Sequence, residues 1–274
     1  MAYANIVRSG LTASAPLTKP FCAGAGGRQL RRRPLTSTAY TRRHFAVMAQ
    51  ATYDIWVKGS PEKNELGDCP FSHRMMMTME EKGISYNKNL LDEQKMPDWI
   101  KDVCDGNKQI PFMKENETGK WLYDSDKMAP YLEDKFPDLK KIGKPDECPQ
   151  VGKELFPTKF MDFLLSKPGD DEDKKKDALY QELKAVNDHL EKSGKPYFGG
   201  DDVCATDLSM APKVKHIKIG ADEIKGWQVP SDLKALHEWM GRMSERDSWK
   251  KTYYTEQYVR DGWNLKVKMM SEDK

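Results

Sequence analysis

Residues Tyr53 to Lys58 alternate apolar and polar, the pattern of a strand with one buried face, and Gly59 to Asp68 reads as the loop that follows. Downstream, Phe71, Met75, Met76 and Met79 recur at helical spacing, with Gly83 where a helix stop is expected. Ile84 to Leu90 alternates again, giving a β-α-β unit whose crossover should be right-handed and whose strands should be parallel. A short helix is predicted over 96–104. Ile110 to Lys114 and Lys120 to Tyr123 flank a turn-rich loop and predict a hairpin, and Asp124-Ser125-Asp126 can cap a helix running to about Lys135. This order is that of an α/β thioredoxin-like domain over residues 52–136.

Pro137 to Pro149 holds three prolines and a glycine and reads as a linker. Beyond it, over 150–274, the apolar spacing is helical throughout and predicts an all-α domain. The candidate helices run from 152 to 166, 174 to 193, 206 to 219, 232 to 246 and 248 to 258. The charge run Asp170 to Lys176 reads as a solvated loop leading into a helix start.

Composition changes the picture at the N-terminus. The 274 residues are 38% apolar and 32% charged, as in a soluble globular protein, and no apolar run is long enough to span a membrane. Of 45 basic against 43 acidic residues, eight basic ones and no acidic one lie in residues 1–53. The remainder therefore carries 37 against 43, a net charge of −6. That removes the compositional case for nucleic-acid binding. An acid-free segment rich in Arg, Ser and Thr is the signature of an organelle transit peptide, expected over residues 1–49 with cleavage near Val47 to Gln50. Composition alone leaves chloroplast and mitochondrion open. Five cysteines without regular spacing argue against a disulfide framework or a zinc site and point to a reducing compartment.

The chemistry concentrates at Cys69-Pro70-Phe71-Ser72, which falls where the first helix begins. Free backbone N–H groups and the helix dipole favour a thiolate there, and the expectation is a lowered thiol pKa. Pro70 suits the first helical turn. Ser72 occupies the place of a second cysteine in a Cys-x-x-Cys motif, so the sulfur cannot close a local disulfide and needs an external thiol such as glutathione. The bland alternative for Cys69 is a buried free cysteine.

Gly67 to Arg74, Glu80-Glu81-Lys82, Ile110-Pro111, Asp124-Ser125-Asp126, Asn187 to Leu190 and Ala205 to Ser209, taken in order, resemble the plant-type dehydroascorbate reductases of the glutathione transferase superfamily. The likeness runs over residues 53–268, whereas Cys-Pro-Phe-Ser alone would also suit omega and lambda transferases or the chloride-intracellular-channel proteins. The resemblance implies a glutathione transferase fold and glutathione-dependent reduction of dehydroascorbate, with glutathione as co-substrate and no bound cofactor or metal. It further implies a monomer in the chloroplast, with no nucleic-acid or membrane partner. A glutathione-dependent deglutathionylase or thiol transferase, and a non-enzymatic channel-like protein, remain the alternatives.

Carried over by position, Cys69 is the family's nucleophile, and Lys58, Asp68, His216 and Trp263 line its substrate pocket. Ile110, a cis Pro111, Asp124 and Ser125 correspond to its glutathione contacts. Where the family has a lysine before Pro-Asp-Trp this chain has Met96, so that contact would fall to Lys95. Cys204 replaces the usual Ser or Thr of a helix-capping box completed by Asp207, and thiol is the poorer acceptor. His73 replaces a more usual Gln; the helix dipole should disfavour its protonation, so it is not expected to act as the catalytic base.

Overall fold

The computed structural model describes residues 51–272, so the expected transit segment over residues 1–49 lies outside the described residues. Strand β1 (Tyr53–Ser60) follows the predicted alternation: Tyr53, Ile55 and Val57 are fully buried on one face. Trp56 points to the other face and stacks on Phe112 at 5.1 Å between ring centroids. After the two-residue β2 (Glu65–Leu66) come helix α1 (Pro70–Lys82) and β3 (Tyr86–Leu91), which pairs parallel to β1 as the β-α-β reading requires. A single turn, α2 (Ile100–Val103), precedes the antiparallel pair β4 (Phe112–Glu115) and β5 (Trp121–Tyr123). Helix α3 (Ser125–Lys135) closes this half, and the sheet order is β3-β1-β4-β5 with β2 added at the end of β1.

Burial explains why α1 holds its place. Met75, Met76, Met77 and Met79 are each at most 1% exposed, so the helix is enclosed on nearly all sides by the sheet and by the helical half. Full burial of one such side chain contributes about 1.5–3 kcal/mol. Gly83 ends the helix at φ 69°, a left-handed position at which a side chain would be strained.

The helical half comprises α4 (Phe160–Leu164), α5 (Asp170–Ser193), α6 (Ala205–Lys225), α7 (Lys234–Glu245), α8 (Asp247–Lys251) and α9 (Glu256–Glu272). Leu179, Leu183, Val186 and Leu190 form the buried stripe of α5. Asp207, fully buried in α6, accepts hydrogen bonds from the backbone N–H groups of Phe198, Gly199 and Cys204 and from Trp239 Nε1, at 2.8–3.2 Å. The carboxylate arm of the capping box is thus strongly made although a cysteine stands at its start. No helix among the described residues is long and apolar enough to cross a membrane.

Four expectations need correction. The loop expected from Gly59 to Asp68 contains β2, which pairs Gly59 with Leu66 and Ser60 with Glu65. The helix predicted over 152–166 is replaced by an irregular turn over Leu155–Lys159 and the short α4, because Phe156 is extended (φ −142°, ψ 131°) before Pro157. The charge run from Asp170 is helical rather than looped: its four leading acids occupy the first turn of α5, where the dipole favours negative charge. The helix predicted over 248–258 is two helices, α8 and α9, broken at 252–255, and α9 continues to Glu272.

Candidate functional site

Cys69 is the N-cap of α1, with extended backbone (φ −110°, ψ 110°), and its Sγ accepts from the backbone N–H of Ser72 at 3.4 Å. The thiol therefore stands at the predicted helix start. Its electrostatics have the opposite sign from the expectation: Cys69 is only 9% exposed, and burial pushes its pKa up. The hydrogen bonds from Ser72 and the Lys58 ammonium pull down without overcoming it.

Lys58, near the end of β1, ion-pairs with Asp68 at 3.0 Å and with Glu93 at 2.6 Å. Burial works against the Lys58 charge, but the two carboxylates outweigh it and raise its pKa. Asp68 is raised as well, by burial first, with Lys58 opposing. Glu93 was not singled out in the sequence; it reaches Lys58 from the turn Glu93–Lys95, which Asp92 caps through the N–H of Gln94. Lys95 itself faces solvent and pairs with Asp92 at 3.4 Å, so it stands beside the cluster rather than in it.

The Ile110–Pro111 peptide is cis, and the backbone N–H and C=O of Ile110 make no hydrogen bond among the described residues. Asp124 caps α3 by accepting from the N–H of Asp126 at 3.0 Å, and its own backbone is left-handed at φ 69°. A non-glycine residue so held stores about 1–3 kcal/mol of strain, and such residues gather at ligand sites. Ser125, 5% exposed, accepts from Arg74 Nη1 at 3.4 Å, and Arg74 also pairs with Asp126. Arg74 is a buried cation at this helix start that carried no local signal in the sequence.

His216 and Trp263, 47 positions apart, meet in the core: Trp263 Nε1 donates to His216 Nδ1 at 3.1 Å. His216 Nε2 lies 2.9 Å from the hydroxyl of Tyr254, a residue that no motif along the chain marks. Burial, then Lys215 and Lys58, lower His216 to about 3, so the ring is neutral. Cys69 and Asp68 both face Tyr254 closely enough to raise its hydroxyl further above a value already lifted by burial. Gly262, beside Trp263 on α9, packs directly on the Asp68 carboxylate, and a Cβ there would collide with Oδ2. The structure thus brings Lys58, Asp68, Cys69, His216 and Trp263 into one neighbourhood.

His73, one turn into α1, is fully buried between Trp249 and Tyr254, and neither ring nitrogen has a partner. Burial, then Lys215 and His216, hold it well below the ordinary histidine pKa, in keeping with its exclusion as a base. A cleft of about 570 Å³ lies at the opposite end of α1, lined by Glu80, Arg242, Arg246 and Lys251. It is lined by no cysteine and lies far along the helix from Cys69.

Residues 68–135 match the family model described as glutathione S-transferase, N-terminal domain. The chain is 37% identical over 202 residues to the probable glutathione S-transferase DHAR1, cytosolic, of Oryza sativa subsp. japonica, covering 74% of this chain and 92% of that one. It is 36% identical over 226 residues to glutathione S-transferase DHAR3, chloroplastic, of Arabidopsis thaliana, covering 81% and 84%. Among solved structures, the dehydroascorbate reductase of Chlamydomonas reinhardtii superposes with a TM-score of 0.71 at 30% identity, over 79% of this chain and 99% of that one. Fold, site and these likenesses agree: the chain belongs to the plant-type dehydroascorbate reductase family of the glutathione transferase superfamily.

Proposed function

We propose that the chain reduces dehydroascorbate to ascorbate at the expense of glutathione, with Cys69 as a monothiol nucleophile. The observation that carries this reading is the position of the Cys69 sulfur, which caps a helix beside the Lys58–Asp68 pair with Ser72 in place of a resolving cysteine. In the first stage the Cys69 thiolate attacks a carbonyl carbon of dehydroascorbate, a C–S bond forms, and the carbonyl oxygen takes up a proton. Water then attacks sulfur and the C–S bond breaks. Its electron pair stays with carbon as the enediolate of ascorbate, while sulfur is oxidised to the sulfenic acid. Glutathione condenses with the sulfenic acid and releases water. A second glutathione attacks the mixed disulfide at its glutathione sulfur, freeing glutathione disulfide and the Cys69 thiolate.

Lys58 favours the anionic sulfur and Asp68 accepts from substrate hydroxyl groups. The free N–H and C=O of Ile110, beside cis Pro111, suit the cysteinyl unit of glutathione, which would bind as an added strand. Ser125 at the start of α3, with Arg74 behind it and Asp124 before it, suits the γ-glutamyl end. Lys95 would reach the tripeptide only from the rim. The acid-free N-terminal segment supports delivery to an organelle, and the likeness to a chloroplastic relative favours the chloroplast, testable by fusing residues 1–52 to a fluorescent protein.

The test is glutathione-dependent formation of ascorbate, followed by its absorbance, by the full-length chain and by Cys69→Ser. Turnover by the wild type, lost in a folded mutant and with ping-pong kinetics, is expected. Substantial activity in the mutant would overturn the mechanism. A folded but inactive wild type would move the assignment to reduction of glutathionylated proteins at the same sulfur.

A further inference from the structure

Tyr254 lies on the break between α8 and α9 and is fixed from several sides. Its carbonyl accepts from Lys215 Nζ at 2.7 Å, the same ammonium sits 3.8 Å from its ring centroid, and the His73 ring packs edge-on at 5.1 Å. It is 2% exposed, so the ring has no freedom to swing. The hydrogen-bond sense at its hydroxyl follows from the inventory of donors. An indole N–H can only donate, so His216 Nδ1 accepts from Trp263. A neutral imidazole that accepts at Nδ1 carries its proton on Nε2. His216 therefore donates to the Tyr254 oxygen, and the hydroxyl's own proton points elsewhere. Among the described residues it has no acceptor, and it lies by the start of α1: Gly262, next to Trp263, packs on the Asp68 carboxylate, and His73, one turn beyond Cys69, packs on the Tyr254 ring.

We propose that Tyr254 is a further catalytic residue, its hydroxyl donating to the carbonyl oxygen of dehydroascorbate as the Cys69 sulfur attacks the carbon. His216 and Trp263 are then positioning residues: they set the direction of the hydroxyl rather than touching the reacting atoms. The inference rests on the reading given under Proposed function and deepens it. The chemistry favours such a donor, because negative charge develops on that oxygen as the C–S bond forms, beside side chains that are largely buried. Lys58, already held by two carboxylates, is a poorer candidate for the same task.

Tyr254→Phe removes the hydroxyl and keeps the ring. In single-turnover mixing of the reduced full-length chain with dehydroascorbate, the variant should form ascorbate about 10²-fold more slowly, the usual loss for one oxyanion donor. Alkylation of Cys69 by iodoacetamide, which reads only the thiolate, should be unchanged. Equal ascorbate rates in variant and wild type would overturn the proposal. So would parallel slowing of alkylation, which would place the hydroxyl on the sulfur instead. Trp263→Phe provides a second arm: without the indole donor, His216 can move its proton to Nδ1 and turn Nε2 into an acceptor for the Tyr254 proton. A slower single-turnover rate at saturating dehydroascorbate is expected, and a wild-type rate would overturn the positioning role. A wild-type chain that releases no ascorbate, by contrast, overturns the parent reading and this inference with it.

Discussion

Burial and the helix N-terminus act in opposite directions on the Cys69 thiol, and Lys58 is its cationic neighbour among the groups that weigh on it. Because burial wins, the thiolate fraction at neutral pH is smaller than in an exposed cysteine, and the rate of alkylation should climb with pH beyond the ordinary thiol range. Lys58→Ala removes the ammonium and leaves the Asp68 carboxylate uncompensated, and both changes disfavour the thiolate. The alkylation profile should therefore move to higher pH, with the rate at neutral pH falling about tenfold for each unit of displacement. A profile that coincides with the wild type, or moves to lower pH, would contradict the role given to Lys58. The places of Cys69 and Ser125 at helix starts were legible in the sequence from local motifs, and the cis Pro111 from the family resemblance. The sign of the thiol shift was not, since burial depends on packing by α6 and α9. Tyr254 was invisible for the same reason: its role arises where residues 69, 216 and 263 converge, and nothing in its neighbours along the chain announces it.

Elements were readable wherever period and punctuation agreed. The alternation of β1, the caps of α1 and the Leu179–Leu190 stripe of α5 all reappear in the structure. Reading failed where one residue overrode a helical pattern, as Pro157 does, or where charge disguised a helix start, as in the first turn of α5. The C-terminal helix α9 is the element on which the site most depends and the one least foreseen, because its apolar side is sparse and only Val259 and Trp263 are buried. Its approach to the Asp68 loop requires Gly262, since any Cβ would collide with the carboxylate. Gly262→Ala must push α9 away or turn Asp68 from Lys58, at a cost of about 1–3 kcal/mol typical of overpacking. Thermal unfolding together with kcat/KM for dehydroascorbate measures this, and both should fall. Unchanged kcat/KM at reduced stability would show that the approach of α9 serves the fold and not the site.

Across the whole molecule, one buried carboxylate ties the far end of α1 to the linker and to the helical half. Glu81, with a side chain 7% exposed, accepts from Arg246 at 2.6 and 2.7 Å, from Ser248 at 2.6 Å and from Lys140 at 2.6 Å. Burial opposes its ionisation, but these donors outweigh it and hold its carboxyl down to about 2. A folded-state pKa below the unfolded value near 4.3 means that the contribution is fully present above that value. It is then lost progressively as the pH falls toward 2. Its size follows from the shift, about 3 kcal/mol. The same helix that presents Cys69 at its N-cap is therefore anchored at its last turn by an acid-labile cluster. Urea unfolding of the wild type and of Glu81→Gln should differ by at least about 3 kcal/mol at neutral pH, because the variant also leaves Arg246 partly unpaired. The gap should close as the pH is lowered through 4 toward 2, while the variant's own stability changes less over that window. A gap that persists undiminished at pH 2.5 would mean that the contribution of Glu81 does not come from its ionised form, and would overturn the acid-labile anchoring of α1.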